Sequence, residues 1–276
     1  MSSQNYEAIS STNVFSPATV MVGSTLVVYF GGWYEPYSLH DHIYRAECHN
    51  YPIQKCDPAA MLIDPLLYGL DHLNDPTVIY CAETKEWLIY MTGIKPNGQT
   101  SDNQIWIAIS TDLIHWSQPT LIILDIWQPS ATVAPDGNIM VYGNLNYPDP
   151  NNNQQFTIIR YNMGTNGRSV GARTIINAPV AYFNPDVKYR PEKQQYVMAG
   201  ENGGNRQEAN SGIDVLISTD GITFLLAAQN IVKPRPGQYH VRTPGLHPTD
   251  DFIVYYAETI DPNSMKNQIR VIQWSP

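Results

Sequence analysis

A residue-proline step that recurs five times at nearly constant spacing constrains this chain more than any other feature. Ser16-Pro17, Asp75-Pro76, Gln128-Pro129, Asn184-Pro185 and Thr243-Pro244 each open an apolar run, and the prolines stand 59, 53, 56 and 59 residues apart. Self-similarity at a fixed period marks a repeat architecture, because one unit alone cannot bury its apolar face and needs neighbours against it. Every unit repeats the same parts. The proline is read as the first residue of a short strand, where no ladder donor is needed. A tight turn follows, as in Val22-Gly23-Ser24, Glu83-Thr84-Lys85, Pro135-Asp136-Gly137, Pro191-Glu192-Lys193 and Pro248-Thr249-Asp250. The return strand, such as Leu26 to Phe30 or Trp87 to Met91, is the most apolar stretch and is expected to be buried on both faces. A long polar loop then leads to a third strand, and a weaker fourth is expected in units one to four, for instance Leu121 to Leu124. Ala59 to Leu70 has room for a short helix.

Three or four antiparallel strands repeated at this interval predict an all-β fold, a five-bladed β-propeller with three to four antiparallel strands per blade. Residues 1–276 are read as one domain whose units open near 16, 75, 128, 184 and 243. Radial repetition hides sheet edges by packing blades round an axis. A double-sheet sandwich also uses short strands and turns, but it gives no reason for one proline step to recur at even intervals. Composition agrees. At 43% hydrophobic and 15% charged the chain can bury a core, and no apolar run is long enough to span a bilayer. A formal charge of −9 argues against nucleic acid or an anionic membrane as partner. The stretch Met1 to Phe15 lacks a basic start and apolar core, so the expected compartment is the cytoplasm, with secretion left open. Cys48 and Cys56 are close enough in sequence to pair, which would leave Cys81 over; with no Cys-x-x-Cys spacing, the three are expected to be free structural thiols.

Strands alternate direction within a blade, so the proline steps and the loops after each second strand converge on one mouth of the central channel. Such a rim is where function is expected. The five residues before the prolines are all polar, and Asp75 is the only charged one. Asp186 shares the strand that follows Asn184, while Glu201 and Glu258 end the second strands of units four and five. Trp33, Tyr34, Gln128, Asn144, Asn184, Tyr239, His240 and Arg242 are candidate binding residues for a small molecule or oligosaccharide, Arg242 as a clamp for carboxylates or hydroxyls. His40-Asp41-His42 is a His-x-His step capable of holding a metal, but without an identified third ligand no metal site is assigned. No cofactor is expected, and calcium in the channel is left open.

Ser110-Thr111-Asp112 followed by Trp116, and Ser218-Thr219-Asp220 followed by Phe224, close the third strands of units two and four. This Ser-x-Asp and aromatic turn resembles the blade signature of five-bladed propeller glycosidases, the arabinanase and xylosidase type of glycoside hydrolase family 43 and the invertase and levansucrase type. Ser and Asp can close such a turn through local hydrogen bonds while the aromatic fills the gap between blades. The resemblance implies three carboxylates round the funnel. Asn74-Asp75-Pro76 resembles the Asn-Asp-Pro of invertases. Ser16 and Gln128 stand where those families have Asp, and the Asn184-Pro185 step lacks their Glu. The enzyme reading therefore uses a displaced set for glycoside hydrolysis, with Asp75 as base or nucleophile, Glu201 as acid and Asp186 tuning the acid. The alternatives are a propeller that binds a sugar or small polar molecule without cleaving it, and a propeller turned to other small-metabolite chemistry through His240 or His42.

Overall fold

In the computed structural model the five units are five four-stranded antiparallel sheets in a ring, a five-bladed β-propeller. The structure describes residues 4–9, 13–33, 40–49, 56–98, 102–145, 157–202, 212–235, 240–250, 252–259 and 267–274, of which 4–9 are described as backbone. A first strand, β1 (Gln4–Ile9), precedes the repeats. Blade 1 contains β2 (Asn13–Val22), β3 (Thr25–Trp33), β4 (His42–Cys48) and β5 (Ala60–Ile63). Blade 2 contains β6 (His72–Cys81), β7 (Glu86–Ile94), β8 (Gln104–Ser110) and β9 (Thr120–Ile123). Blade 3 contains β10 (Ile126–Val133), β11 (Ile139–Leu145), β12 (Ile158–Asn162) and β13 (Arg173–Ile175). Blade 4 contains β14 (Tyr182–Arg190), β15 (Gln195–Asn202), β16 (Gly212–Ser218) and β17 (Leu225–Val232). Blade 5 contains β18 (His240–Leu246), β19 (Ile253–Thr259) and β20 (Asn267–Gln273), and β1 pairs with β20 as its fourth strand. The ring is thus closed by β1, which precedes the five repeats.

The expected helix near Ala59 is β5 followed by one 3-10 turn, Pro65–Tyr68, capped by the Asp64 carboxylate and ended at left-handed Gly69. Among the described residues no helix is long and apolar enough to cross a membrane. The second strands β3, β7, β11, β15 and β19 are buried along almost their whole length. Their alternate faces feed five separate apolar clusters, one at each blade junction. Val28 and Phe30 meet Tyr255 and Val271 across the junction of blades 1 and 5. Tyr142 meets Met198 and Phe224 between blades 3 and 4.

The prolines are not the first residues of their strands, as the sequence suggested. Each lies inside the innermost strand at a β-bulge. The register shifts between Phe15 and Ala18, Asn74 and Thr77, Trp127 and Ser130, Phe183 and Asp186, and Arg242 and Gly245. In every case the residue before the proline has a left-handed φ, between 45° and 53°. An L-residue held there costs roughly 1–2 kcal/mol, so five repetitions mean that the surrounding packing enforces the shape. Bulges also release an N–H from the ladder, which is why proline fits at that point. Side-chain hydroxyls then tie innermost strands together: Thr77 Oγ1 accepts from Ala131 N–H at 3.1 Å, Thr132 Oγ1 from Tyr189 N–H at 2.8 Å, and Thr19 Oγ1 donates to Leu246 O at 2.8 Å. At the last junction the backbones approach so closely that a Cβ on Gly245 would collide with the Pro17 carbonyl oxygen.

The Ser-x-Asp turns form as expected. Ser218 Oγ accepts from Gly221 N–H at 2.9 Å, and Asp220 Oδ1 accepts from Ile222 and Thr223 N–H at 2.7 and 2.8 Å. Phe224 then meets Tyr142 of the preceding blade edge to face, with 6.4 Å between ring centroids, as Trp116 meets Tyr29 at 6.1 Å. Tyr142 and Tyr29 also donate their hydroxyls to Gly221 O and Leu113 O, both at 3.0 Å. Burial pushes both phenols well above their ordinary pKa, so they remain donors.

The expectation for the cysteines is overturned as well. Cys48 and Cys56 form a disulfide that joins the end of β4 to the segment eight residues on, and only Cys81 is a free, buried thiol among the described residues. Lone Cys81 weighed against pairing in the sequence, but β4 brings Cys48 into an isolated antiparallel bridge with Cys56.

Candidate functional site

The bulges shape the site. In a regular strand successive side chains point to opposite faces. Here the left-handed residue breaks the alternation, and in blades 2 to 5 two consecutive side chains line one funnel, while in blade 1 Phe15 lines the funnel and Ser16 the constriction beneath it. The inner tier is Ser16, Asp75, Gln128, Asn184 and Thr243; the outer is Phe15, Asn74, Trp127, Phe183 and Arg242. The funnel encloses about 300 Å³ and also receives Trp33, Thr92 and Glu201 from second strands. A constriction of about 30 Å³ lies on the axis beneath, lined by the five proline steps and Asp186.

Asp75 and Glu201 are the two carboxylates of the enzyme reading that reach the funnel. Both are buried. Asp75 Oδ1 accepts a short hydrogen bond from Ser16 Oγ, whose backbone N–H donates to Thr243 Oγ1 at 2.9 Å. Glu201 Oε2 accepts from Asn184 Nδ2 at 2.6 Å. Gln128 is held through its N–H by Thr92 Oγ1 at 2.8 Å. The amide oxygens of Gln128, Asn184 and Asn74 are buried without a hydrogen-bond donor. In a polar funnel such oxygens are acceptors set out for ligand hydroxyls.

Other candidates fall elsewhere. Asp186 lines the constriction, where Oδ1 accepts from Ser130 Oγ at 2.7 Å and from Lys188 Nζ at 2.8 Å, and Oδ2 accepts from Leu246 N–H at 2.7 Å. Those bonds make it a brace joining blades 3, 4 and 5. Asn144 is fully buried, donating to Tyr182 O and accepting from Asn184 N–H, each at 3.0 Å, so it orients Asn184 from behind. Glu258 is buried against Arg235, whose Nε donates to Oε1 at 2.9 Å, and the Arg270 Nε lies 3.6 Å away. A carboxylate so neutralised serves structure. Trp33 and Arg242 line the funnel, whereas His240 is buried at the start of β18 away from that lining. Tyr34 and Tyr239 lie outside the described residues.

The aromatic members of the outer tier, Phe15, Trp127 and Phe183, were not among the residues expected from sequence, although a signal was present. The residue two before the proline is aromatic in units one, three and four, where a solvent-facing rim would not require it. Half-buried Phe15 and Trp127, with buried Phe183, supply apolar faces suited to sugar C–H groups. A second cluster was missed because its members come from two blades. His40 and His42 do not act together: His42 Nε2 lies 3.5 Å from Asp64, while His40 Nδ1 lies 3.0 Å from Asp71 Oδ1. Next to it, His72 faces Asp41 and Asp71 at 3.2 and 3.3 Å, and the hydrogen bond to Asp41 is the main cause of the raised His72 pKa. Asp41 and His72 belong to the funnel wall.

Compared by sequence, the chain matches no protein-family model and no curated protein. Compared by structure, it is similar over nearly its whole length to solved propellers. A thermostable family-43 glycoside hydrolase matches with a TM-score of 0.73 and 14% identity over 96% of this chain and 91% of its own. The β-xylosidase RS223 matches with a TM-score of 0.74 and 10% identity over 99% and 96%. An N-acetylgalactosamine deacetylase from F. plautii, solved with blood group B trisaccharide, matches with a TM-score of 0.72 and 13% identity over 98% and 95%. Identities this low establish the shared fold alone, and the fold is the five-bladed propeller of those proteins.

Proposed function

We propose that this chain is a glycosidase-like propeller that acts on a carbohydrate or glycoside in the funnel. The observation that carries the reading is that two buried carboxylates, Asp75 from blade 2 and Glu201 from blade 4, line one cavity of about 300 Å³ walled by aromatic rings. Glycoside hydrolysis needs two carboxyl groups flanking the bond, one as acid and the other as base or nucleophile. Ser16 fixes the Asp75 carboxylate from below, which suits the base or nucleophile. Asn184 fixes the position of Glu201, the candidate acid, at the wall. Asp186 then acts through packing by holding the innermost strands of blades 3 to 5 in register. The structural neighbours include a family-43 glycoside hydrolase and a β-xylosidase, which supports the same substrate class. The Cys48–Cys56 bridge supports an oxidising compartment over the cytoplasm.

A panel of aryl pentosides and hexosides tests the reading. Asp75→Asn and Glu201→Gln are each expected to lower kcat by about 10²–10⁴ on any glycoside the wild type cleaves, with circular dichroism unchanged. A cleaved glycoside whose turnover survives both substitutions overturns the assignment. Sugar binding without cleavage is the second reading, favoured by the donor-less amide oxygens of Gln128, Asn184 and Asn74. It predicts calorimetric binding of a sugar that no condition hydrolyses.

A further inference from the structure

We infer that the funnel rim holds a divalent transition-metal site, of the zinc class, formed by His40, Asp71 and His72. One ligand atom from each of these side chains lies within 4.8 Å of the others. His40 and Asp41 immediately precede β4 of blade 1, and Asp71 immediately precedes β6 of blade 2, which begins at His72. Leu73 N–H donates to Asp41 O at 3.0 Å and pins the two segments together, so the three groups converge across a blade junction.

The Asp71 carboxylate is shared between the two imidazoles, with Oδ1 3.0 Å from His40 Nδ1 and Oδ2 3.3 Å from His72 Nε2. Asp41 engages the far nitrogen of His72: its backbone N–H donates to Nδ1 at 3.1 Å, and its Oδ2 lies 3.2 Å from the same atom. Ligation through Nε2 requires the tautomer in which Nδ1 gives up the bond from the Asp41 N–H and donates its own proton to the Asp41 carboxylate, so that Nε2 presents a lone pair toward Asp71. A carboxylate behind the non-ligating nitrogen is the outer-shell arrangement that fixes metal-binding histidines. An independent observation concerns charge. The Asp41 side chain is only 10% exposed, yet Oδ1 receives no hydrogen bond, while Oδ2 already takes His72 and Asn74 Nδ2 at 3.0 Å. Two carboxylates against two imidazoles leave the pocket short of positive charge, which a dication would supply. Two nitrogen donors and one oxygen donor favour zinc over calcium, which takes six or more oxygens. Ligand atoms round a tetrahedral ion with bonds of about 2.1 Å are roughly 3.4 Å apart, so small side-chain rotations close the three on one centre. Because His72 also lines the funnel, the bound ion would sit at the edge of the cavity that contains Asp75 and Glu201.

The test is independent of any glycosidase activity. Full-length protein, freed of metal by chelation and dialysis, is titrated calorimetrically with Zn²⁺ and in parallel with Ca²⁺, and Co²⁺ is followed by its visible absorption. One Zn²⁺ per chain is expected, with affinity lowered at least 100-fold by Asp71→Asn or His72→Ala and about 10–100-fold by Asp41→Asn. His40→Ala, at a partly exposed position, gives the same loss without threatening the fold. His49→Ala, which disrupts the separate surface pair with Asp57, leaves binding unchanged. Absence of a one-to-one Zn²⁺ site in the wild type, retention of it in His40→Ala and Asp71→Asn, or preference for Ca²⁺ overturns the assignment.

Discussion

The outer turns and the inner bulges of this propeller are both repeated, and they differ in what is repeated. The turns after β8 and β16 keep their residues, Ser, Asp and an aromatic, and use each residue for the same bond in both blades. The five bulges keep only their backbone: a left-handed residue, a proline and a register shift. Their side chains are five different inner residues and four different outer ones, with Phe used twice. Where the same side chains recur, they answer a packing demand that every blade shares. Where one backbone carries varied side chains, the fold presents positions whose occupants packing leaves free to differ.

This contrast can be broken or sharpened by substitution. The largest expected effect is on the turn side. Phe224→Ala empties a fully buried slot between blades 3 and 4 and should destabilise the protein by about 3–5 kcal/mol in urea unfolding, leaving sugar affinity intact in the folded fraction. A change in affinity larger than in stability would remove the division. Next is a buried structural histidine. Burial pushes His247 down to about 4 from its ordinary 6.5. The unfolded chain therefore takes up a proton that the folded chain refuses between those values. The His247 contribution is complete above about pH 6.5 and is lost as pH falls toward 4, by on the order of 3 kcal/mol. Urea midpoints at pH 7 and pH 4.5 should show a markedly smaller acid-induced loss in His247→Asn than in the wild type. The smallest effect lies in the funnel: Trp127→Ala removes a half-buried ring and should weaken sugar binding about tenfold, with little change in melting temperature. If Trp127→Ala instead unfolds the chain while binding is retained in Phe224→Ala, the funnel rings are core residues and the contrast fails.

The proline interval and the doubly buried second strands made the ring legible before any coordinates, because both follow from local spacing. Asp75 and Glu201 were legible too, as charges at positions the repeat aims inward. What stayed hidden depends on local geometry or on two blades at once. Periodicity cannot show that Trp127 and Gln128 share one wall, since that requires the alternation to fail at a bulge. His40 meets Asp71 and His72 only because neighbouring blades abut, and no spacing along one unit encodes that. Asn144 and Asp186 were polar residues in the right segments whose bonds turned out to join blades, which the sequence of one blade does not reveal.

The pairing of β1 with β20 has a consequence for synthesis. Gln4–Ile9 leaves the ribosome well before Asn267–Gln273, so β1 must wait for all the strands between them before it finds its partner. Until then blade 5 cannot be finished, and any nascent intermediate exposes an unpaired sheet margin open to neighbouring chains. A tag or fusion abutting Gln4 would therefore act on the yield of correctly closed rings.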